Sequence, residues 1–344
     1  MVILEERVIP YTSKDNMVLN LINVRGAKEA HQGPVILVHG AGVRANIFRP
    51  PVRRNLVHAL VDHGYDVWLS NWRGSIDLPP NEWTLDQAAC FDHPEAVKKI
   101  QAETGASKVK AIIHCQGSTS FTMSVLAGLL PQVETIISNA VSLFTIVPQW
   151  SRVKLKYAVP LVAELTPFIS PAWGDNPPTV FAKLIRAMVK MGHHECDNDV
   201  CKMVSFTYGA GCPALWRHKN INEQTHEWVR KEFADVPLSF FKQMARCVHR
   251  GNLISYDPIV SGLPLDFSVH KPQTDARFIF YTGKLNRCFL PESQIRAFKF
   301  FDKLRPNYHA LEVLEHYSHL DIFIGERADK DIFPKMLAYL DGKI

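Results

Sequence analysis

The sequence predicts an α/β protein with a mostly parallel sheet, covered by helices, into which a mainly helical cap is inserted. Short continuous apolar runs alternate with helical stretches up to about residue 142, and the alternation resumes after residue 274. Such runs are typical of strands buried on both faces, and their alternation with helices is typical of parallel sheets. Proline-broken apolar stretches and helical segments replace this rhythm in between. We therefore predict a core from residues 1–142 and 275–344, with a cap from residues 143–274.

The individual elements follow from apolar periodicity and from turn residues. Alternation over residues 7–24, with a turn near Ser13-Lys14-Asp15-Asn16, predicts a hairpin. Strands are predicted over residues 34–38, 66–70, 109–114, 133–138, 277–281 and 310–314. Helices are predicted over residues 51–63, 84–103, 118–130, 179–191, 222–233, 291–303 and 331–340.

Composition and charge restrict the function classes. The 344 residues are 47% hydrophobic and 21% charged, as in a soluble globular protein. The net charge of +5 comes from scattered basic residues, so no nucleic-acid interface is expected. Seven cysteines, an odd number along a long chain, do not indicate a disulfide framework. A polar N-terminus and the lack of any run near ~18 apolar residues predict neither a signal peptide nor membrane insertion, so we expect a cytoplasmic location.

A predicted strand, a tight turn and an apolar helix surround Cys115. The turn reads His114-Cys115-Gln116-Gly117, with the thiol at the amino end of the helix. That position favours an anion, and a thiol pKa of ~8.5 falls readily beside a positive charge. The N–H of Gln116 would face the oxyanion that forms during acyl transfer. Cys115 is therefore the predicted nucleophile, and the competing interpretation is a buried structural cysteine.

The motifs of the chain resemble those of the α/β-hydrolase superfamily, in its lipase and esterase branch. They follow the family's order: Val38-His39-Gly40, residues 68–74, residues 114–117 and Ser318-His319-Leu320-Asp321. On this alignment Cys115 stands where most relatives carry serine, and Gly117 is the small residue of the nucleophile elbow. Ser118 lies beyond that glycine and is expected to cap the helix. Ile113 departs from the pattern, because elbows usually carry a small residue there.

A more specific likeness is to the cysteine-bearing hydrolase domain fused to cholesterol-oxidase-type (GMC) flavoproteins. It rests on residues 196–201, 225–226 and 286–293, and it covers most of the chain. The chain has no Gly-rich dinucleotide fingerprint, so no cofactor is expected. This likeness implies the fold and, more loosely, the reaction.

The resemblance places a base after the last strand and the third triad member after the strand before it. His319 is the preferred base, which takes the thiol proton and passes it to the leaving group, and His316 is the alternative. Asn286 stands where the family carries aspartate. An amide that only orients the ring can serve a thiol, as in papain-like Cys-His-Asn sites. If Asn286 is an ordinary turn residue, three carboxylates are alternatives: Asp257, Asp266 and Asp321.

The loop after the predicted strand 34–38 supplies the second expected oxyanion donor, the N–H of Ala41. His39 and Gly40 in this loop are expected to support it, as His114 and Gly117 support the elbow.

Two further features of the predicted cap, a His/Cys cluster and an apolar stretch, need an interpretation. The cluster at residues 193–196 with Cys201 matches no strong metal motif, so packing is expected and no metal site. The apolar stretch 157–173 is expected to line the cap over the active site, with membrane contact as the alternative. Either placement favours a lipophilic substrate.

Together these features predict an esterase, lipase or lactonase that acts on a small lipophilic ester, thioester or lactone through a covalent Cys115 thioester. Two alternatives remain. An acyltransferase would pass the acyl group to an alcohol or amine, because a dry cap suppresses hydrolysis. A non-catalytic binding protein would keep the fold without the chemistry. The oligomeric state is not indicated.

Overall fold

An eight-stranded sheet lies at the centre of the protein, and the computed structural model describes residues 4–344, except the side chain of Val260. The strands are β1 (Glu5–Thr12), β2 (Val18–Arg25), β3 (Pro34–Val38), β4 (Asp66–Asn71), β5 (Val109–His114), β6 (Val133–Asn139), β7 (Phe168–Ile169), β8 (Val236–Pro237), β9 (Arg277–Gly283) and β10 (Ala310–Leu314). Their order in the large sheet is β1-β2-β4-β3-β5-β6-β9-β10, and β7 pairs with β8. Neighbours from β4 to β10 are parallel, while β2 pairs antiparallel with β1 and β4. The predicted α/β architecture is confirmed.

The structure also contains helices. They are α1 (Leu56–Asp62), α2 (Leu85–Gln87), α3 (His93–Thr104), α4 (Cys115–Leu126), α5 (Gln149–Val153), α6 (Val159–Ala163), α7 (Val180–Gly192), α8 (Asp199–Tyr208), α9 (Glu223–Trp228), α10 (Leu238–Arg250), α11 (Pro258–Ser261), α12 (Pro291–Leu304), α13 (Asp321–Ile324), α14 (Ala328–Asp331) and α15 (Phe333–Leu340). Short 3-10 turns lie at Ala45–Phe48, Pro171–Gly174, His218–Asn220 and Val229–Lys231, and π-helical turns at Ala88–Asp92 and Lys154–Ala158. Over residues 4–344, none of these helices combines the length and the apolar character that crossing a bilayer requires.

Strand register brings the predicted site loops to one edge of the sheet. Val38 in β3 lies beside Ile113 in β5, which in turn lies beside Ser138 in β6. Parallel strands end at the same edge, so the segments that follow β3, β5 and β6 are neighbours there. The loops after β9 and β10 start from the same edge, because these strands continue the parallel set.

Helix α4 begins at Cys115, and the predicted start at residue 118 was wrong. Ser118 does not cap the helix. Its hydroxyl is fully buried and shares a hydrogen bond of 2.7 Å with the hydroxyl of Ser138. The helix starts early because the backbone turns at Cys115 itself, directly after β5.

Residues 140–276, which we call the cap segment, connect β6 to β9 and, in the described chain, add no strand to the eight-stranded sheet. Hydrogen bonds tie this segment to the loops at the sheet edge. The N–H of Ala234 donates to the carbonyl of Gly42 over 3.2 Å. The carbonyl of Leu215 accepts from the N–H groups of His319 at 3.1 Å and Leu320 at 2.8 Å. The exact boundaries at residues 143 and 274 stay a prediction.

Candidate active site

The turn between β5 and α4 holds Cys115 in an uncommon backbone conformation. Its φ is +55°, a value that residues with side chains rarely adopt outside strained sites. Gly117 is required beside it, because a Cβ there would lie 2.0 Å from the carbonyl oxygen of His39. A Cβ on Gly40 would lie 3.0 Å from that of Cys115. Ile113, fully buried in β5, therefore does not prevent the elbow geometry.

The sulfur of Cys115 lies at the amino end of α4, and 8% of the residue is exposed. A hydrogen bond from the thiol of Cys288 is the largest of the influences that hold the pKa of Cys115 well below its ordinary value. The nearby imidazole of His319 and the N–H of Gln116 also lower this pKa, while burial opposes them. The same hydrogen bond raises the pKa of Cys288 well above its ordinary value, so Cys288 keeps its proton. The lowered pKa favours the thiolate form of Cys115.

Asn286, in the loop after β9, contacts the imidazole of His319. Its Nδ2 lies 3.1 Å from Nδ1 of His319. Its Oδ1 accepts hydrogen bonds from the N–H groups of Cys288 at 2.9 Å and Phe289 at 3.2 Å. Two backbone donors on one end of the amide identify that end as oxygen, so the other end donates to the ring. His319 therefore accepts at Nδ1 and carries its proton on Nε2.

The second ring nitrogen of His319 is available for chemistry. Nε2 is buried and has no hydrogen-bond partner among the described residues. The sulfur of Cys115 and one ring nitrogen each of His319 and His114 lie within 4.8 Å of one another. Because Nδ1 of His319 faces Asn286, Nε2 is the nitrogen on the side open to Cys115. Distances of this kind in a free enzyme commonly shorten when substrate binds.

The other predicted acids and the alternative base have different surroundings. The carboxylate of Asp321 accepts from the N–H of Ser318 at 2.7 Å and from Asn220 at 2.7 Å, so it braces the His319 loop. Asp266 accepts from Ser268 within its own turn. The N–H of Asp257, the third alternative acid, donates to Asp86. His316, the alternative base, is exposed, whereas Cys115 is buried.

His114 packs against His319, with ring centroids 4.7 Å apart and the ring planes tilted by 53°. Burial, and to a lesser extent its histidine neighbours, lowers the pKa of His114 well below its ordinary value, so the ring is neutral. Asn139 at the end of β6 fixes both residues: its Nδ2 lies 2.8 Å from Nδ1 of His114 and donates to the carbonyl of His319 over 3.0 Å. Sequence reasoning missed Asn139 and Cys288, because neither forms a motif by itself.

The loop after β3 presents the second expected oxyanion donor. The N–H of Ala41 makes no hydrogen bond within the described part of the chain, and Ala41 and Cys115 line the same small cavity. His39 is fully buried, and its Nδ1 lies 2.7 Å from the carbonyl oxygen of Gly40. Burial lowers the pKa of His39 to about 3, so it is a neutral structural group at this loop. The N–H of Ala41 is therefore available to an oxyanion beside Cys115, while the N–H of Gln116 faces the sulfur of Cys115.

Comparisons with known proteins agree with this geometry. The model of the α/β-hydrolase fold family matches residues 33–158. The chain has the α/β-hydrolase fold. The human protein named lipase member K is 23% identical over 96% of this chain and 86% of its own length. Yeast (Saccharomyces cerevisiae) sterol esterase 2 is 26% identical over 30% of this chain and 21% of its own length. The structure of an esterase from Exiguobacterium antarcticum covers 96% of this chain and 98% of its own at a TM-score of 0.61 and 12% identity.

The cap segment contributes Tyr208, which sequence reasoning also missed. Its hydroxyl is buried and has no hydrogen-bond partner among residues 4–344. Gly42 makes room for it: a Cβ there would lie 2.2 Å from that hydroxyl, and the φ of +66° also favours glycine. The raised pKa of Tyr208 arises from burial first and then from the charge of Cys115, which lies nearby. Tyr208 thus offers an O–H donor inside the site.

A mainly apolar pocket opens from Cys115 into the cap segment. Its empty volume is roughly 890 Å³, including space open to solvent. Side chains of the predicted stretch 157–173 form part of the wall: Ala158, Val159, Val162 and Ile169. Others in the stretch face solvent: Tyr157, Leu161 and Leu165. The pocket also contains Lys154, whose ammonium donates to the carbonyls of Phe206 and Gly209, and burial lowers its pKa to about 8.

Proposed function

We propose that this α/β-hydrolase cleaves a lipophilic ester or lactone through a covalent thioester on Cys115. The observation that carries the proposal is the position of a low-pKa sulfur at the floor of an apolar pocket, next to two N–H donors. The esterase and lipase names of the relatives support the same reaction class. The likeness to cysteine-bearing hydrolase domains supports the departure from serine.

The first half of the reaction forms the thioester. The thiolate attacks the carbonyl carbon, and the electron pair moves to the carbonyl oxygen, where the N–H groups of Gln116 and Ala41 stabilise it. As the intermediate collapses, the bond to the leaving oxygen breaks. His319 takes up a second proton from solvent at Nδ1 and gives its Nε2 proton to that oxygen, so the ring is left neutral with Nε2 free. The imidazolium is transient, since it loses the hydrogen bond from Asn286.

The second half releases the acyl group. A water molecule loses a proton to Nε2 of His319 and attacks the thioester carbonyl, and the carbon–sulfur bond then breaks to regenerate Cys115. The hydroxyl of Tyr208 is placed to donate to a substrate oxygen in either half, because it lies in the same pocket without a protein partner.

Acyl transfer is a second candidate, favoured by the apolar walls around Cys115. Cys115 is buried beneath apolar walls, and excluding water protects a thioester from hydrolysis. An alcohol or amine that fits the pocket would then accept the acyl group with the same proton movements. Product analysis with and without such acceptors separates the two, since transfer lowers the yield of free acid.

Intact-mass spectrometry after exposure to esters and lactones of graded chain length tests the proposal. We expect an acyl adduct on the wild type and none on Cys115→Ala. Cys247→Ala is the matched control. Cys247 is buried like Cys115, but it lies in the cap segment and its thiol donates to the carbonyl of Ile254. An adduct that survives in Cys115→Ala, or a Cys115 that forms none with any substrate, would sink the thioester mechanism and favour a binding protein.

A further inference from the structure

A second group of sulfur and imidazole ligands lies in the cap segment, apart from the active site. We call it the cap cluster, and its members are Cys196, Cys201, His218 and His226. One ligand atom from each lies within 4.8 Å of all the others. The chain brings them together from three places: the loop after α7, the first turn of α8, and the segment from the His218–Asn220 turn to α9.

We propose that the cap cluster binds a structural zinc ion. Two cysteines and two histidines are a common ligand set for structural zinc, which is tetrahedral and needs no open position. Bond lengths of about 2.3 Å to sulfur and about 2.0 Å to nitrogen give ligand–ligand separations of about 3.4 to 3.8 Å. The sulfur of Cys201 and Nε2 of His218 are already 3.4 Å apart.

One ligand atom of the cluster has a hydrogen-bond partner outside it, since the sulfur of Cys196 donates to the carbonyl of Asn198 over 3.7 Å. Nε2 of His226 is buried and without a hydrogen-bond partner in the described chain. The rings of His218 and His226 meet edge to face at 4.7 Å, as two imidazoles around one centre do. Two thiolates and two neutral imidazoles balance the charge of Zn²⁺, and binding releases the two thiol protons.

Asn198 supports the cluster from outside. Its side-chain oxygen accepts from the N–H of Cys201 over 3.0 Å, which caps α8, and its amide donates to the carbonyl of His226 over 2.7 Å. These two hydrogen bonds hold the start of α8 and helix α9 next to each other around the ligands. Such outer contacts are typical of metal sites, where they fix the orientation of the ligands.

The position of the cluster shows what the zinc would hold in place. His218 follows Leu215, whose carbonyl accepts from the N–H groups of both His319 and Leu320. Asn220, in the same turn as His218, donates to Asp321 over 2.7 Å. Zinc on the cap cluster therefore fixes the chain segment on which the loop of the proposed catalytic base rests.

A neighbouring group provides a control. His193, Glu195 and Cys212 also approach one another, but Nδ1 of His193 is already 3.0 Å from Glu195, and Cys212 is exposed. This group offers three ligands instead of four, so we place the ion on the cap cluster.

Elemental analysis of protein purified without chelator tests the proposal. We expect about one zinc per chain in the wild type, Cys212→Ser and Cys247→Ser. The content should fall below about a tenth of that in Cys196→Ser and His226→Gln. Zinc that follows Cys212 and not Cys196 would overturn the assignment, as would wild-type protein that takes up no zinc when it is supplied.

Measurements on the unmodified chain keep the test valid if the variants fail to fold. Cobalt substituted for zinc should give the intense visible bands of a tetrahedral site with sulfur ligands. Peptide mapping should find Cys196 and Cys201 protected from iodoacetamide until a chelator is added, together with a lower melting temperature after chelation. A disulfide between Cys196 and Cys201 in freshly purified protein would refute the site. None of these readouts depends on the reaction at Cys115.

Discussion

The carboxamide of Asn286 donates a hydrogen bond to Nδ1 of His319, because its oxygen is occupied by the N–H groups of Cys288 and Phe289. An aspartate at this position would accept a proton from Nδ1 and stabilise an imidazolium. The amide instead stabilises the neutral ring with its proton on Nε2. The thiolate of Cys115 then depends on its other neighbours, chiefly Cys288.

Asn286→Asp should allow a thiolate–imidazolium pair to form between Cys115 and His319. One carboxylate oxygen keeps the two backbone donors, and the other accepts from Nδ1 of His319. We expect the pH midpoint of Cys115 alkylation to move down by about one unit. Stopped-flow iodoacetamide labelling across the pH range measures it. Asn286→Ala is the control, which should slow acylation about tenfold or more without a downward shift. An unchanged midpoint in Asn286→Asp would contradict the assigned orientation of the amide.

Cys288→Ala should raise the midpoint for Cys115. Cys115 reacts as a thiolate, which is present at pH values above its pKa. The hydrogen bond from Cys288 lowers that pKa more than any other contact does, so without it alkylation should require a higher pH. We expect a rise of about one unit and a several-fold slower alkylation at neutral pH. Burial raises the pKa of Cys90 to about 11 and that of Cys247 to about 12, so both stay unreactive at neutral pH as internal standards. Cys90→Ala should leave the Cys115 profile where it is.

Tyr208→Phe should lower the acylation rate strongly but change the free energy of unfolding only slightly. The hydroxyl has no protein partner in the described chain, so its loss should cost less than about 1 kcal/mol of unfolding free energy. If it donates to substrate, the acylation rate should fall about tenfold. Tyr281→Phe removes a hydroxyl that is equally buried and equally unpartnered within residues 4–344, but outside the pocket. Equal rates in the two variants would remove Tyr208 from the reaction.

Gly117→Ala should destabilise the protein strongly. The added Cβ would lie 2.0 Å from the carbonyl oxygen of His39, and neither backbone can move without disturbing the elbow. We expect a loss of more than about 3 kcal/mol in denaturant unfolding. Gly192→Ala is the comparison, since nothing lies within 4 Å of a Cβ there. That variant should stay within about 1 kcal/mol of the wild type. Similar losses for both variants would show that the elbow tolerates a larger residue.

The sequence pattern predicted those strands whose formation depends on residues close together in the chain. The runs that form β3 and β5 have the predicted bounds, because apolar character within a few residues decides a buried strand. The bounds of β10 were also predicted, although it is a partly exposed strand at the sheet edge. The start of α4 was mispredicted because Ser118 looks like a cap in sequence. Its hydroxyl instead bonds to Ser138, a partner from another strand.

The order of Cys115, Asn286 and His319 along the chain was enough to propose a site, since each follows a predicted strand and parallel strands end together. Which end of the Asn286 amide faces His319 was decided only by the folded loop, where two backbone N–H groups hold its oxygen. The same is true of Asn139 and of the cap cluster, whose ligands span residues 196–226. A sequence pattern records neighbours along the chain, whereas hydrogen-bond direction and ligand convergence depend on distances that exist only after the segments pack.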